Sequence, residues 1–453
     1  MLRDYQQELI DQTREAFRGH KSVVMQLPTG GGKTITTAWI IQNAKGRCIF
    51  CVHRIELLYQ TSDTFKRMGI DHGFIAASED YDPDLRVHIA SIDTLQRRLD
   101  DVAAPDLLVI DEAHRAMADG WRKVANHWPD AHRLLITATP ERLDGRGLKH
   151  VAEVMVCGKS PRWLTEHGFL APCRIFSPAV PDMAGIQTRG GDYAQEQLAA
   201  MMDKSTITGN AVEHYNKHCE GMQAIVFCVN IDHSRHVAAQ FADAGIPAAH
   251  LDGTFGKIAR EDIIERYRYG ETRVLCNVNI LTEGFDVPGV QAAIMLRPTK
   301  SLALYLQMVG RALRSMEGKT AIILDHAGNA IRHGHPSIDR DWSLEGKKGR
   351  KKNKVQLTTC EKCFCSWQKP PRECPNCGWA PETKEREINT ESGTLSEITV
   401  EDNPWAWAKN RTLRDVLPRA QTYDDLLQIA KIRGYKSGWA YYQWKSRNQT
   451  SQG

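Results

Sequence analysis

The segment Leu27-Pro28-Thr29-Gly30-Gly31-Gly32-Lys33-Thr34 sets a run of glycines ahead of a lysine and a hydroxyl. Glycines let backbone N–H groups close around phosphate oxygens, and the helix start that follows adds a favourable dipole. Lys33 then reaches the β/γ-phosphates of a nucleotide, and the Thr34 hydroxyl ligates Mg²⁺. Leu27 departs from the strict phosphate-loop pattern, which has glycine there. Further on, the apolar run Leu107-Leu108-Val109-Ile110 delivers Asp111-Glu112-Ala113-His114. Adjacent carboxylates at a strand end suit Asp111 to hold the Mg²⁺ and Glu112 to polarise an attacking water. The plainer readings are a tight turn and a solvated strand end. The two segments in this order favour hydrolysis of a nucleoside triphosphate.

These residues need a frame that brings them together. Short apolar runs alternate with helical patterns, and Ser22–Gln26, Arg47–Val52, Val87–Ile92, Leu107–Ile110 and Leu134–Ile136 predict buried parallel strands. A second series comprises Ala224–Val229, Arg273–Val278, Ala292–Leu296 and Ala321–Leu324, with helices over Ser234–Ala244 and Lys257–Tyr269 between. The fold class is α/β, with two tandem doubly wound parallel-sheet domains. Predicted boundaries are 1–158 and 206–340 for the domains, joined by a connection over 159–205. After them come a basic linker (341–356), a cysteine-rich ribbon (357–380), a second linker (381–403) and an aromatic, basic, helical end (404–453).

Composition agrees with a globular chain, at 42% hydrophobic and 25% charged residues. The start lacks the apolar core of a signal peptide and no run is long enough to span a membrane, so the cytoplasm is the expected location. A net charge of +4 would not by itself announce a nucleic-acid partner. The crowding of Lys347, Lys348, Arg350, Lys351, Lys352 and Lys354 is either a solvated linker or part of such a surface.

With Asp-Glu-Ala-His in place, the chain resembles the superfamily 2 helicases of the DEAH-box type, and the family's other motifs follow in order. The resemblance implies a RecA-like fold for both domains and ATP as the nucleotide. Arg3, Tyr5 and Gln6 resemble the adenine-reading glutamine motif. His53 and Arg54, then Thr94 and Gln96, lie in strings similar to the first domain's strand-tracking motifs. Thr137-Ala138-Thr139-Pro140, with His114, resembles the part coupling hydrolysis to movement. In the second half, Thr282, Gly284 and Asp286 fall in a string like motif V, implying contact with nucleotide and nucleic acid. Gln307-Met308-Val309-Gly310-Arg311-Ala312-Leu313-Arg314 resembles motif VI, with Gln307 coupling and Arg311 and Arg314 as arginine fingers.

Cys360-x-x-Cys363 and Cys374-x-x-Cys377 have the spacing of a tetrahedral Cys₄ zinc site. Cys365 is left out as a spare thiol. Cys48 and Cys51 stand three apart in a strand, facing opposite sides as core residues. His326, His333 and His335 read as loop or surface histidines. Near the end, Trp405, Trp407, Trp439, Tyr441, Tyr442 and Trp444 interleave with Lys436 and Lys445. Such rings stack on bases, Trp439 among them, or pack a small core with Leu426, Leu427 and Ile429. Motor, knuckles, Leu324–Asn329 and Gly434–Ala440 together look like the bacterial RadD repair-ATPase group. That resemblance implies a DNA substrate, single-stranded or forked, and contact with single-strand-binding protein. The motor motifs alone leave an RNA-remodelling ATPase open, and a DNA-binding scaffold with vestigial ATPase is the third reading.

Overall fold

The computed structural model describes residues 2–115, 119–141, 145–177, 186–189, 192–194, 197–198, 202, 205–281, 289–346, 358–360, 362–367, 373–380, 405, 408, 412–436 and 438–449. They fall into two units, residues 1–381 and 382–453.

The first unit holds two large sheets. In chain order, the first contains β1 (Ser22–Gln26), β2 (Cys48–Val52), β3 (Gly73–Ile75), β4 (Val87–Ser91), β5 (Leu107–Ile110), β6 (His132–Thr137) and β7 (Val154–Cys157). The spatial order is β3-β4-β2-β5-β6-β1-β7, and every pairing is parallel. Every residue of β1, β2 and β5 is buried, as expected of parallel strands covered on both faces. Cys48 and Cys51 enter different core clusters on opposite faces, and burial pushes the Cys48 thiol up to about 11. Parallel pairing has a functional consequence: the C-terminal ends of β1, β6 and β5 meet on one edge.

The second sheet uses β8 (Cys173–Phe176), β11 (Ala224–Phe227), β12 (Ala248–Leu251), β13 (Val274–Asn277), β14 (Ala292–Met295) and β15 (Ala321–Asp325). A separate two-stranded ribbon, β9 (Thr188–Arg189) with β10 (Asp192–Tyr193), lies in the stretch joining the two sheets along the chain. The second sheet runs β12-β13-β11-β14-β15-β8-β17-β16, where β16 is Thr358–Thr359 and β17 is Cys365–Trp367. Two features depart from the sequence reading. β8 lies inside the expected connection, yet it pairs parallel with β15, Cys173 opposite Ala321. Its four residues follow Pro172 and include an exposed Arg174, which hid the strand pattern. The cysteine ribbon is likewise no separate module, because β17 pairs antiparallel with β8 and extends the sheet.

The start of the expected basic linker also packs on the first domain. The Leu344 carbonyl accepts from Lys149 N at 3.0 Å, Glu345 pairs with Lys149, and Gly346 bridges Arg146. Residues 347–357 and the second linker lie outside the described residues.

The second unit is a helical hairpin on a small core. Thr422 and Asp425 form a capping box at the start of Tyr423–Arg433, with Asp425 N donating to Thr422 Oγ1 at 3.1 Å. Gly434, at φ +65°, ends that helix, and Gly438–Gln449 follows. Trp405, Val416, Leu426, Ile429 and Ala440 form the core, and Trp405 Nε1 donates to Asp425 Oδ1 at 3.0 Å. Trp439 is half-buried against this core, its ring 4.8 Å from Tyr435. Of the two sequence readings for that ring, packing is the one its surroundings support. Tyr441 and Tyr442, 52% and 71% exposed, are the rings that face solvent. Among the described residues, no helix is long and apolar enough to cross a membrane.

Candidate nucleotide cleft

The chain leaves β1 through Leu27, whose N–H donates to the Thr137 carbonyl at 3.1 Å and whose side chain is fully buried. Leucine here extends the sheet pairing and fills the core, which explains the departure from glycine. A turn follows, closed by Gly31 N to Pro28 O at 2.9 Å. Gly30 and Gly32 take φ +83° and +87°, a region costly for any residue with a Cβ. Gly32 caps the Lys33–Asn43 helix, so the unpaired N–H groups of its first turn, at Lys33 and Thr34, are offered to an anion.

The start of the Asp4–Gly19 helix packs on this loop. Tyr5 Oη and Gln6 Nε2 both donate to the Gly31 carbonyl, at 2.9 and 3.2 Å, and Gln6 Oε1 accepts from Arg3 N at 3.0 Å. Beside them the Arg3 guanidinium lies 4.8 Å over the Phe169 ring, which stands 4.9 Å from Tyr5 and stacks on Trp163. Gln6 thus joins an aromatic shelf to the glycine loop. Phe169 and Trp163 were missed from sequence, since they sit in the irregular stretch after β7 with no fixed spacing to the glutamine.

Asp111 and Glu112 follow β5. Glu112 takes φ +49°, held by its own N–H donating to Asp111 Oδ1 at 2.8 Å, an uncommon backbone for a non-glycine. The His114 Nδ1 faces both Glu112 Oε2 at 3.3 Å and Thr137 Oγ1 at 3.5 Å. Thr137 Oγ1 in turn donates to Thr139 O and accepts from Thr139 N. Gln26 Nε2 ties the Ala138 carbonyl back to β1 at 3.0 Å. A continuous polar chain therefore runs from the Glu112 carboxylate through His114 to the Thr-Ala-Thr turn.

The second domain meets the loop through the Leu302–Ala312 helix. A Cβ placed on Gly310 would lie 2.5 Å from Thr29 Cγ2, so the helix backbone sits against the Thr29 side chain with room only for glycine. Arg311 is the next residue, and Gln307, 5% exposed, lies one turn earlier. Arg314 follows the helix, half-buried, and burial disfavours its charge. Thr282, Gly284 and Asp286 lie outside the described residues.

The candidate strand-tracking residues follow the neighbouring strands β2 and β4, away from β1. Arg54 Nη1 donates across the domains to Asn279 O at 2.9 Å, and Glu56 pairs with Arg260. His53 lies 6.4 Å from the Trp121 ring. Thr94 is half-buried, and the Gln96 side chain abuts Gly120.

The four cysteines predicted for zinc come together. The Sγ atoms of Cys360, Cys363, Cys374 and Cys377 all lie within 4.8 Å of one another, with Cys363 and Cys374 3.5 Å apart. Sulfurs at tetrahedral corners about 2.3 Å from zinc stand about 3.8 Å apart, so the set fits the ion. Each knuckle turns on a positive-φ residue after its second cysteine, Phe364 at +59° and Gly378 at +68°. Burial raises the Cys363 thiol, but hydrogen bonds led by Asn376 Nδ2 bring it down to about 7. Cys365, outside the set, is pushed up to about 11 by burial.

Comparison with known proteins agrees with this layout. Residues 1–142 match the family described as the res subunit of type III restriction enzymes, and residues 208–316 match the helicase conserved C-terminal domain. A 51.5 kDa protein of a Lactococcus phage is 35% identical over 362 residues, 78% of this chain and 77% of that one. The Saccharomyces cerevisiae protein IRC3, named as a candidate ATP-dependent helicase, is 30% identical over 345 residues. That match covers 70% of this chain but only half of the yeast protein. A solved fragment assigned as the HsdR subunit of a type I restriction enzyme from Vibrio vulnificus shares the fold, with TM-score 0.59 and 22% identity. The match spans 74% of this chain and 67% of that fragment. With two RecA-like domains, a glycine loop, a carboxylate pair and these relatives, the chain belongs to the superfamily 2 helicases, enzymes that hydrolyse ATP.

Proposed function

We propose that the chain couples ATP hydrolysis to movement on DNA. The observation that supports this best is Gly310, next to Arg311 on a helix of one domain, seated on Thr29 in the glycine loop of the other. In this reading, residues Thr29–Thr34 cradle the phosphates, Gln6 and Phe169 hold the adenine, and Thr34 and Asp111 would hold Mg²⁺. When bound there, the ion would supply charge neutralisation to the phosphates. Glu112 orients the attacking water, while Arg311 and Arg314 stabilise charge developing on the γ-phosphate. The His114–Thr137–Thr139 chain transmits the change at Glu112 to the domain junction, where Gln307 also lies. His53, Arg54, Thr94, Gln96 and Thr282 follow the nucleic-acid backbone, and Gly284 and Asp286 serve both ligands.

DNA is favoured over RNA by the restriction-type description of the first domain. The knuckles and the Gly434–Ala440 string support a finer assignment to the RadD repair ATPases. Under it the chain works in replication or recombination repair on single-stranded or forked DNA beside single-strand-binding protein. Intact Lys33, Asp111, Glu112 and Arg311 speak against a vestigial ATPase.

Glu112→Gln tests the reading. It should stall with ATP bound and, with ATP present, bind forked DNA at least as tightly as the parent, measured by fluorescence anisotropy. Hydrolysis near the parent rate would remove Glu112 from the proposed role.

A further inference from the structure

We infer that the tyrosine pair of the last helix is a binding site for single-stranded nucleic acid separate from the motor. The inference rests on the nucleic-acid function proposed above, and it reassigns the stacking role from Trp439. In the Gly438–Gln449 helix, Ala440 is fully buried and Trp439 and Trp444 are half-buried against the core of the second unit. The helix therefore turns Tyr441 and Tyr442 outward, at 52% and 71% exposure, with ring centroids 5.8 Å apart and planes at 72°. No other described side chain in this unit with so large an apolar body exceeds 37%.

The segment that carries the tyrosines is basic. After Asp425 it holds Lys431, Arg433, Lys436, Lys445 and Arg447 and no acidic side chain, while Asp424 and Asp425 stand at the start of the preceding helix, where Asp425 is engaged by Trp405, Gln421 and Thr422. Lys436 and Lys445 are exposed, and Lys445 lies one helical turn beyond the tyrosines. Phosphates meet cations and bases meet open ring faces, the combination that grips single strands without reading sequence. A partner helix would instead need apolar residues at i, i+3 or i+4 and i+7. Around Tyr442, the more exposed ring, those positions are Lys445, Ser446 and Gln449, and Trp444, three residues after Tyr441, packs against the unit's own core, so the exposed face lacks a continuous apolar stripe.

The test uses the full chain, labelled oligo(dT) and no nucleotide. Tyr441→Ala with Tyr442→Ala should weaken binding on the order of tenfold per ring that stacks, without changing the salt dependence. Tyr441→Phe with Tyr442→Phe should bind like the parent, because the ring and not the hydroxyl does the stacking. Lys436→Gln with Lys445→Gln should lower the log–log salt slope by roughly 0.7 for each cation in contact. Thermal unfolding and ATPase at saturating oligonucleotide should stay at parent values in all three. Parent-like affinity in the alanine pair overturns the inference, as does an equal loss in the phenylalanine pair. Loss of a bound protein with oligonucleotide affinity intact also overturns it, in favour of a protein partner. If the alanine pair binds normally while DNA still stimulates the ATPase, the tail inference fails and the motor reading stands. Ring-dependent binding without any nucleic-acid stimulation leaves the tyrosine site standing and removes the motor reading.

Discussion

Arg311→Ala should lower kcat for ATP hydrolysis by roughly 10³–10⁵, the range lost when an arginine finger is removed. ATP binding should change far less, because Gln6, the glycine loop and Lys33 all lie on the first domain. In the proposed reading one residue matters so much because Gly310, its neighbour on the helix, packs against the Thr29 side chain of the glycine loop, which would bring the guanidinium within reach of a phosphate held there. Gly310→Ala is the natural companion: its new methyl would meet Thr29 and hold the domains apart. It should also depress kcat while leaving Arg311 in the chain. Single-turnover hydrolysis separates the chemical step from binding, and parent-like rates in Arg311→Ala would place the finger elsewhere.

Cys374→Ser should lose bound zinc and destabilise the motor's second domain as well as the ribbon. Read from sequence alone, every nucleotide motif precedes residue 341, which makes the ribbon an appendage. In the structure β17 is a strand of the second sheet, and Cys360, Cys363, Cys365 and Cys374 share a core cluster with Phe176, Val226 and Leu324. A structural zinc site supplies about 10–16 kcal/mol to folding. If even about 3 kcal/mol of it is shared with the sheet, a domain of this size should melt roughly 10 °C lower. Metal analysis with differential scanning calorimetry checks both parts. Full zinc content in the variant contradicts the ligand assignment. An unshifted domain transition after zinc loss contradicts the shared core.

Local spacing made much of this legible. β1, β2 and β5 are uninterrupted apolar runs, and the glycine loop and Asp111-Glu112 are each encoded within a few residues. What escaped depends on partners far along the chain. β3, β8 and β12 are short strands containing Gly, Arg or Ala, and only their neighbours make them strands. The Phe169 shelf, the Arg54–Asn279 bond and the seating of Gly310 join segments with no common spacing. His326 reads in the sequence as a loop or surface residue, yet it is buried beside His214, and burial pushes its imidazole down to about 3. Trp439 and Tyr441 look alike in sequence. Helical phase decides which ring turns inward, and the sequence reading had no anchor for that phase.

Steady-state ATP hydrolysis by the full chain, without nucleic acid and with single-stranded DNA, forked DNA, duplex DNA or RNA at matched nucleotide concentration, discriminates a DNA motor from the alternatives. Single-stranded or forked DNA should raise the rate at least about tenfold, within the range of a 1–3 kcal/mol coupling between two sites, and RNA should do little. Equal rates in all conditions, or stimulation by RNA alone, would contradict a DNA-driven motor.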